Sequence, residues 1–260
     1  LPADFVAELS PLQASVRPAP FDAIVTMIES QLGAPLDDVF QQVDPTPLGS
    51  ASIGQVHAAT LRDGTPVVIK VQRPGIDRII DTDIAILSDI AARADRYIGA
   101  ARPLNLPELV TEFGWTLRTE LDFVAEAHNV TTIGRIFEHT PGVRVPAVHW
   151  SHSRQRVLTL ERLTGTRIDE VVKLNERGLD RTAIAGQIVG AWFHMVLDAG
   201  YYHADPHPGN ILVIDAHTIG LLDFGMVGVL DNRLRQRILP ILLAIVEQDP
   251  SRIVEELTYL

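Results

Sequence analysis

Two short polar motifs joined by a pair of apolar segments constrain the fold of this chain more than any other feature. The first is the loop 203–210, which reads His-Ala-Asp-Pro-His-Pro-Gly-Asn, and the second is the tripeptide 223–225, which reads Asp-Phe-Gly. Between them lie two apolar runs, residues 211–214 and 219–222, separated by turn-forming residues. Runs of this length and composition predict two short β-strands between the motifs.

The two motifs carry the side chains that phosphoryl transfer needs, in the order in which it needs them. Asp205 can orient an attacking hydroxyl and accept its proton, while Asn210 and Asp223 can hold magnesium ions through side-chain oxygens. The spacing from Asp205 to Asn210 matches the His-Arg-Asp-x-x-x-x-Asn pattern of kinase catalytic loops. Either motif alone could be an ordinary turn or strand end, but their combination favours the catalytic interpretation.

A second group of candidate residues lies near the start of the chain. The run 67–70, Val-Val-Ile-Lys, reads as a strand that ends in a lysine, and the small-residue loop 49–54 precedes it. Lys70 can pair with phosphate oxygens, and a loop of small residues lets backbone N–H groups approach phosphate closely. Taken alone, a glycine-containing hairpin and a strand lysine are common surface features, so this group gains its meaning from the later motifs.

A lysine at the phosphates needs an acidic partner, and a helical pattern over residues 107–137 supplies three candidates. One continuous helix would place Asp122 and Glu126 on the same face and turn Glu120 away from Glu126. We therefore predict that Glu126 pairs with Lys70, and that Glu120 and Asp122 point toward the phosphate or metal region. A solvated acidic helix face is the alternative interpretation.

The remaining periodicity predicts a β-rich start with embedded helices, followed by a mainly helical part. Strands are expected within 47–61 and 65–71, around the turn Arg62-Asp63-Gly64, and at 144–150 and 156–163. Helices are expected at 21–32, 76–98, 168–175, 180–199 and from about residue 231. This order fits a two-lobed α+β fold with a lobe boundary near Thr164.

Composition excludes several classes of protein and partner. The 33 acidic residues outnumber the 22 basic ones, which gives a formal net charge of −11, and no long Lys/Arg run is present, so nucleic acid is not an expected partner. Without cysteine, disulfides and thiolate metal sites are excluded. No apolar run approaches the roughly 20 residues that span a bilayer. A start on Leu1 without a signal-peptide pattern predicts a trimmed chain.

Some residues are assigned to structure rather than to chemistry. The scattered histidines lack the spacing of metal ligands, so structural or surface roles are predicted for His57, His128, His149, His152 and His194. Aromatic residues on helical patterns are predicted to lie in the core, namely Trp115, Trp192 and Phe193.

Together these segments resemble the UbiB/ADCK family of atypical, protein-kinase-like proteins. The resemblance covers about residues 1–250 and rests on five strings, at residues 47–57, 67–75, 120–129, 203–210 and 223–225. It implies a protein-kinase-like fold, with a helical N-terminal extension at 1–44, an N-lobe at 45–163 and a C-lobe at 164–260. It also implies binding of ATP or ADP with Mg²⁺, and a role in isoprenoid-quinone (ubiquinone) biosynthesis or related lipid metabolism.

The same resemblance implies partners and a location. The partners are an adenine nucleotide, a lipid or quinone-precursor ligand and a membrane-associated biosynthetic complex. We expect the full-length protein to associate with the cytoplasmic side of a membrane, and this stretch by itself to be soluble. The family's lysine- and glutamine-containing motif (KxGQ) is missing before the segment that residues 1–13 resemble. Gly49-Ser50-Ala51 also replaces the family's usual alanine-rich loop, which leaves the choice between ATP and ADP open.

Residue by residue, the resemblance assigns the site. Lys70 is the phosphate-binding lysine with Glu126 as its ion-pair partner, and Asp205 is the catalytic-loop aspartate. The metal ligands are Asn210 and Asp223, and the family's acidic ExD element is Glu120 and Asp122. Nucleotide contacts are implied for Gly49, Ser50, Ala51, Ser52, Gly54, Val56, Val68 and Lys70, and for the hinge backbone of Glu161 and Leu163.

Three functions remain open from the sequence. The first is an ATP-hydrolysing or small-molecule-phosphorylating enzyme of the UbiB type. The second is a soluble small-molecule kinase similar to aminoglycoside or choline kinases, whose catalytic loops share the His-x-Asp-x-x-x-x-Asn spacing. The third is a non-catalytic nucleotide-binding scaffold. A conventional protein kinase is disfavoured, because few residues separate the Asp-Phe-Gly tripeptide from the helix near Asp231, and because His207 stands where protein kinases carry lysine.

Overall fold

The computed structural model describes residues 17–97 and 105–258, and most of the predicted leader segment lies outside these residues. Contacts divide the chain into two compact units, Leu1–Ala127 with Val148–Arg162 and His128–Ala147 with Leu163–Leu260. Residues 128–147 thus group with the second unit although they precede the lobe boundary predicted near Thr164. The predicted domain limits stay predictions.

The first unit is built on an antiparallel sheet of four strands. The strands are β1 (Phe40–Ser50), β2 (Gly54–Leu61), β3 (Pro66–Gln72) and β5 (Val157–Glu161), in the order β1-β2-β3-β5. The predicted β-rich start is confirmed, but β1 begins earlier than the sequence suggested. Its pairing with β2 shifts register between Val43 and Gly49, because Pro45 and Pro47 have no N–H to donate to a ladder.

The first helix of this unit packs on the sheet. Helix α1 (Phe21–Leu32) buries Ile24 and Ile28 completely, one turn apart, in a core cluster with residues of β1, β2, β3 and β5. Gly33 ends the helix with φ 73°, the left-handed conformation that glycine adopts most readily. The single turn α2 (Leu36–Val39) leads into β1. The helix predicted at 21–32 is confirmed.

Two antiparallel helices follow β3 in the chain. Helix α3 (Ile76–Tyr97) and helix α4 (Leu106–Glu120) pack closely where Gly114 faces Ile84, since a Cβ on Gly114 would lie 3.2 Å from the Ile84 Cδ1. The core prediction for Trp115 is wrong: its side chain is 69% exposed on α4. Periodicity reveals an amphipathic helix, but it does not say which apolar side chains the neighbouring element covers.

The prediction of a single helix over residues 107–137 is wrong, because the helical conformation is interrupted between α4 and helix α5 (Phe123–Ile136). At the break the Leu121 carbonyl accepts a hydrogen bond from the Gln72 amide, and Phe123 N donates to the Gln155 carbonyl at 3.0 Å. These long-range bonds replace helical ones. Asp122 then begins α5, where its Oδ1 accepts from Val124 N at 3.0 Å.

The second unit combines short sheets with helices. The elements are β4 (Val143–Arg144), β6 (Thr166–Arg167), α6 (Val171–Glu176), α7 (Arg181–Phe193), a π-helical segment His194–Ala199, β7 (Tyr201–His203), β8 (Ile211–Asp215), β9 (Thr218–Leu221), β10 (Val227–Val229), α8 (Asn232–Val246) and α9 (Pro250–Thr258). The predicted strands at 211–214 and 219–222 are confirmed as the antiparallel hairpin β8 and β9. The sheet order is β4-β9-β8-β6, and β10 pairs with β7 in a separate ladder.

The structure of the second unit departs from the sequence-based expectations at three places. Strand β4 is only Val143–Arg144, so it overlaps the predicted strand at 144–150 at Arg144 alone, since Pro146 has no N–H to extend the ladder. Phe193 was predicted to lie in the core, yet it is 47% exposed. Strand β10 was not predicted, because only its pairing with β7, where Gly228 lies opposite Tyr202, distinguishes it from a loop.

Candidate functional site

Lys70 and Glu126 form a two-pronged ion pair in the first unit. Lys70 Nζ lies 2.8 Å from Glu126 Oε1 and 2.9 Å from Oε2, and it sits 5.3 Å from the centre of the Phe123 ring. Glu126 is 4% exposed, so its carboxylate depends on the ammonium group for compensation of its charge. The predicted ion pair is present, and its role at the phosphates stays a prediction.

Regular elements hold this pair in place. Lys70 lies on β3, an inner strand, opposite Val56 of β2 and Leu158 of β5. Because side chains alternate along a strand and pair across it, Val56, Val68 and Lys70 share one face of the sheet. The structure therefore brings three of the predicted nucleotide contacts onto a single face.

The loop between β1 and β2 contains the other predicted phosphate contacts. Its ends are joined by a hydrogen bond from Ala51 N to the Gly54 carbonyl at 2.8 Å. A Cβ on Gly54 would lie 2.7 Å from the Val71 carbonyl oxygen, so glycine is required there for close packing, whereas a Cβ on Gly49 would meet no atom within 4 Å. Ala51 and Ser52 are exposed.

The two acidic residues before Glu126 do not share its helix as predicted. Glu120 is the last residue of α4 and is half-buried, and Asp122 lies in the break, where its side chain caps α5. The prediction of a common helical face for Asp122 and Glu126 is wrong for this reason. Their direction toward phosphate or metal stays a prediction.

The predicted hinge residues lie where the chain leaves the first unit. Glu161 ends β5 opposite Val67, and the next residue, Arg162, donates its N–H to the Pro66 carbonyl at 3.3 Å. Leu163 is the first residue after this unit. Contact of the Glu161 and Leu163 backbone with an adenine base stays a prediction.

In the second unit, the predicted catalytic aspartate contacts the predicted amide ligand directly. Asn210 Nδ2 donates to Asp205 Oδ2 at 2.8 Å. This bond fixes the orientation of the amide and leaves Asn210 Oδ1 as the atom that can accept or bind a cation. The Asn210 carbonyl accepts from Leu222 N at 2.8 Å, which ties the loop to the strand that leads to Asp223.

His203 anchors this loop, and sequence reasoning gave it no separate role. Its ring is 1% exposed and contacts the Phe224 ring at 5.3 Å and the Trp192 ring at 5.9 Å. Nδ1 accepts from Asp205 N at 3.2 Å, so Nε2 carries the proton and donates to the Leu222 carbonyl at 3.0 Å. One buried neutral imidazole thus links the two motifs of the sequence.

Asp223 occupies an unusual backbone conformation. Its φ of 51° lies in the left-handed region, and its Oδ1 accepts from Gly225 N at 3.2 Å. The next residue, Phe224, is fully buried, and its carbonyl accepts from Asn129 Nδ2 at 2.9 Å. Burial of Phe224 therefore keeps the exposed Asp223 in a fixed backbone position.

Asn129 is a further residue that sequence reasoning did not assign. Its Oδ1 accepts from the Tyr201 hydroxyl at 2.8 Å, while its amide holds Phe224. Burial raises the pKa of Tyr201, so this hydroxyl stays a donor at neutral pH. The only available signal was that Asn129 closes the string 120–129.

The donor atoms at Asn210 and Asp223 fit Mg²⁺. Magnesium prefers oxygen ligands and is commonly held by one or two protein groups together with phosphates and water. Within residues 17–97 and 105–258, no group of three or more His, Cys, Asp or Glu side chains could hold a metal by itself. A carboxylate and an amide oxygen are the kinds of ligand that suit an ion whose other ligands come from a nucleotide and water.

Comparison with known proteins decides the family. The sequence profile of the ABC1 atypical kinase-like domain matches residues 11–257. The chain belongs to the ABC1 atypical kinase-like family. The UbiB/ADCK resemblance drawn from the motifs is thereby confirmed.

Curated ABC1 relatives come from chloroplasts and bacteria. Protein ACTIVITY OF BC1 COMPLEX KINASE 7, chloroplastic, from Arabidopsis thaliana is 36% identical over 98% of this chain and 37% of its own length. Probable protein kinase UbiB is 37% identical in Marinobacter nauticus and 38% in Xanthomonas campestris. These matches cover 88% and 98% of this chain, and 43% and 48% of the relatives. The chain thus spans less than half the length of these relatives.

A solved structure shares the fold of the chain. The Rv3197–erythromycin complex from Mycobacterium tuberculosis matches with a TM-score of 0.73 and 24% identity, over 98% of this chain and 63% of that one. At this identity the likeness concerns the fold alone. The predicted kinase-like α+β fold, with a β-rich N-terminal part and a mainly helical C-terminal part, is confirmed. Among the described residues, no helix has both the length and the apolar character to cross a bilayer.

Proposed function

We propose that this ABC1 domain binds an adenine nucleotide with Mg²⁺ and transfers or hydrolyses its terminal phosphoryl group. The observation that carries the proposal is the two-pronged ion pair in the first unit between Lys70 on β3 and the buried Glu126 on α5. An ammonium held in this way presents a compact, oriented charge to phosphate oxygens. A purely structural surface lysine has no need of a buried carboxylate partner.

The second unit supplies the groups for chemistry. In this proposal Asp205 orients an acceptor hydroxyl or water and takes its proton, and the hydrogen bond from Asn210 Nδ2 to Asp205 Oδ2 at 2.8 Å supports this role by fixing the carboxylate. The carboxylate of Asp223 and the amide oxygen of Asn210 would hold Mg²⁺, which neutralises charge on the phosphates when it is bound.

The acceptor is proposed to be small or to be water. Strand β10 and helix α8 follow within a few residues of Phe224, so little chain is left there for a peptide-docking activation segment. Two relatives bear the name UbiB, and this supports a role in isoprenoid-quinone or related lipid metabolism. We extend to the full-length protein a lipid or quinone-precursor ligand, association with a membrane on its cytoplasmic side, and a biosynthetic complex.

A calorimetric titration tests the proposal. ATP and ADP are titrated into the protein with Mg²⁺ and again with EDTA, using the wild type, Asp223→Ala and the control Asp215→Ala. Asp215 is an exposed carboxylate at the end of β8 that caps its own turn, through His217 N at 2.8 Å. We expect magnesium-dependent binding that Asp223→Ala weakens and Asp215→Ala preserves. A nucleotide affinity that changes neither with EDTA nor in Asp223→Ala would contradict the metal site. Nucleotide binding without phosphoryl turnover would indicate a non-catalytic scaffold.

A further inference from the structure

We propose that Arg73 is a positioning residue that braces the β1–β2 loop against the chain segment before α1. The inference rests on the proposed function, which assigns that loop to the phosphates. Arg73 directly follows β3, the strand that carries Lys70. It contacts the loop without being one of the proposed nucleotide ligands.

The bonds of Arg73 reach both structures at once. Its Nε donates to the Ala51 carbonyl at 2.9 Å, and its Nη2 donates to Ser50 Oγ at 2.9 Å and to the Arg17 carbonyl at 2.6 Å. Its backbone N–H donates to the Ile53 carbonyl at 2.8 Å. A planar guanidinium can satisfy these directions together, whereas the single ammonium of lysine cannot.

A buried pair of side chains completes the brace from the other side. Gln55 Oε1 accepts a hydrogen bond from Ala19 N at 2.9 Å. The Gln55 Nε2 is therefore a donor, and it donates a hydrogen bond to His57 Nε2 at 2.8 Å. His57 is therefore neutral, with its proton on Nδ1, which donates to the Asp44 carbonyl at 2.8 Å. Gln55 and His57 are 1% and 0% exposed. They fix the backbone of residue 19 to β2 and β1.

The loop has few other constraints, and this gives the brace its function. Ala51 and Ser52 at the tip of the loop are exposed, so little packing holds them. A loop whose N–H groups are fixed in advance binds phosphate more tightly, because less ordering remains to be done on binding. By linkage, nucleotide binding and ordering of residues 17–19 should favour each other.

The test compares Arg73→Lys with Arg78→Ala, a control on the first turns of α3. Hydrogen exchange is first measured without nucleotide at the amides of Ala19, Ala51 and residues 52–54. We expect exchange about tenfold faster in Arg73→Lys and unchanged in the control, since local opening sets this rate. Thermal midpoints serve to show that both variants remain folded. Unchanged loop exchange in Arg73→Lys would overturn the brace.

Nucleotide measurements then test the purpose of the brace. We expect the Kd and KM for Mg-ATP to rise about tenfold in Arg73→Lys with little change in kcat, because preorganisation is lost while the catalytic groups remain. Faster exchange with unaltered affinity would overturn the positioning role. If the wild type binds no nucleotide at all, the proposed function fails, while the exchange result still decides whether the brace exists.

Discussion

The lysine region of the first unit and the aspartate region of the second unit are built by different means. Lys70 and Glu126 stand on a strand and a helix, and their side chains hold each other directly. Asp205 and Asp223 lie outside the regular elements, on segments that the buried His203 and Phe224 hold through backbone hydrogen bonds and ring contacts.

This difference determines whether a substitution in each region lowers stability, activity or both. Glu126 is a charge inside the first unit, so the loss of its partner damages the fold as well as the function. Asp223 is exposed and Asp205 is half-buried, so their carboxylates can be removed with little loss of packing. Substitutions should therefore separate stability from activity in the second unit and combine them in the first.

The largest expected effect is on turnover in the second unit. Asp205→Asn keeps the size of the side chain but removes the base, and it should lower phosphoryl turnover by about 10²–10⁴-fold. Stability and Mg-ATP affinity should change little. Steady-state hydrolysis and urea denaturation, with Asp215→Asn as the control, check both parts. Full activity in Asp205→Asn would remove it from catalysis, and a large loss of stability would erase the contrast between the regions.

The next effect is on the stability of the first unit. Lys70→Met leaves the Glu126 carboxylate buried without its ammonium and should cost about 2–3 kcal/mol of unfolding free energy, below the usual range for buried pairs because the Lys70 side chain is 21% exposed. Urea denaturation measures this loss.

The double substitution Lys70→Met with Glu126→Leu is the matched control. It removes both charges and should recover most of the lost stability, although activity stays absent. A single variant as stable as the wild type would show that the pair is not structurally important.

A smaller effect separates two glycines of the same loop. Gly54→Ala places a methyl group 2.7 Å from the Val71 carbonyl oxygen and should cost about 1–3 kcal/mol of unfolding free energy. Gly49→Ala, with no atom within 4 Å, should change stability by less than about 0.5 kcal/mol. Thermal or urea unfolding of both variants measures the difference. Equal stability of the two would mean that the loop does not pack against β3 as described.

The smallest expected effect is a pH dependence confined to the first unit. Burial, followed by the nearby charges of His149 and Arg154, lowers the pKa of His152 from its ordinary 6.5. As pH falls, His152 therefore takes up its proton in the unfolded chain before it does so in the folded protein. The contribution of neutral His152 to the unfolding free energy is complete above pH 6.5 and is lost as pH falls through the lower pKa of the folded state. Unfolding free energy from pH 8 to 5 should decline less steeply in His152→Gln than in the wild type. Identical slopes would contradict it.

Local patterns were enough to predict much of the site. Strand alternation ending in Lys70 and the polar loop around Asp205 predicted β3 and the β8–β9 hairpin, because their hydrogen bonds are made between neighbours in the sequence. The partner of Lys70 was also predicted, since a lysine at the phosphates needs an acidic partner and Glu126 was one of three candidate residues.

Features that depend on distant residues could not be predicted. The break at Leu121 arises from Gln72 and Gln155, which lie far away in the sequence. The brace around Arg73 likewise joins segments on either side of three strands, and the exposure of Trp115 depends on which neighbours cover α4. In each case the competing interaction is long-range, and a periodic pattern carries no information about it.

The proposal that Lys70 and Asp223 each contribute to the binding of Mg-ATP is tested by thermal midpoints of the protein with and without this ligand. A ligand that binds only the native state stabilises it by RT ln(1 + [L]/Kd). The wild type, Lys70→Met, Asp223→Ala and the variant that combines these two substitutions are compared, each against its own nucleotide-free midpoint. We predict a magnesium-dependent rise in the wild type that either single substitution reduces. An unchanged thermal midpoint of the wild type at millimolar Mg-ATP, or a full rise of the midpoint in both single variants, would contradict the proposed roles of Lys70 and Asp223.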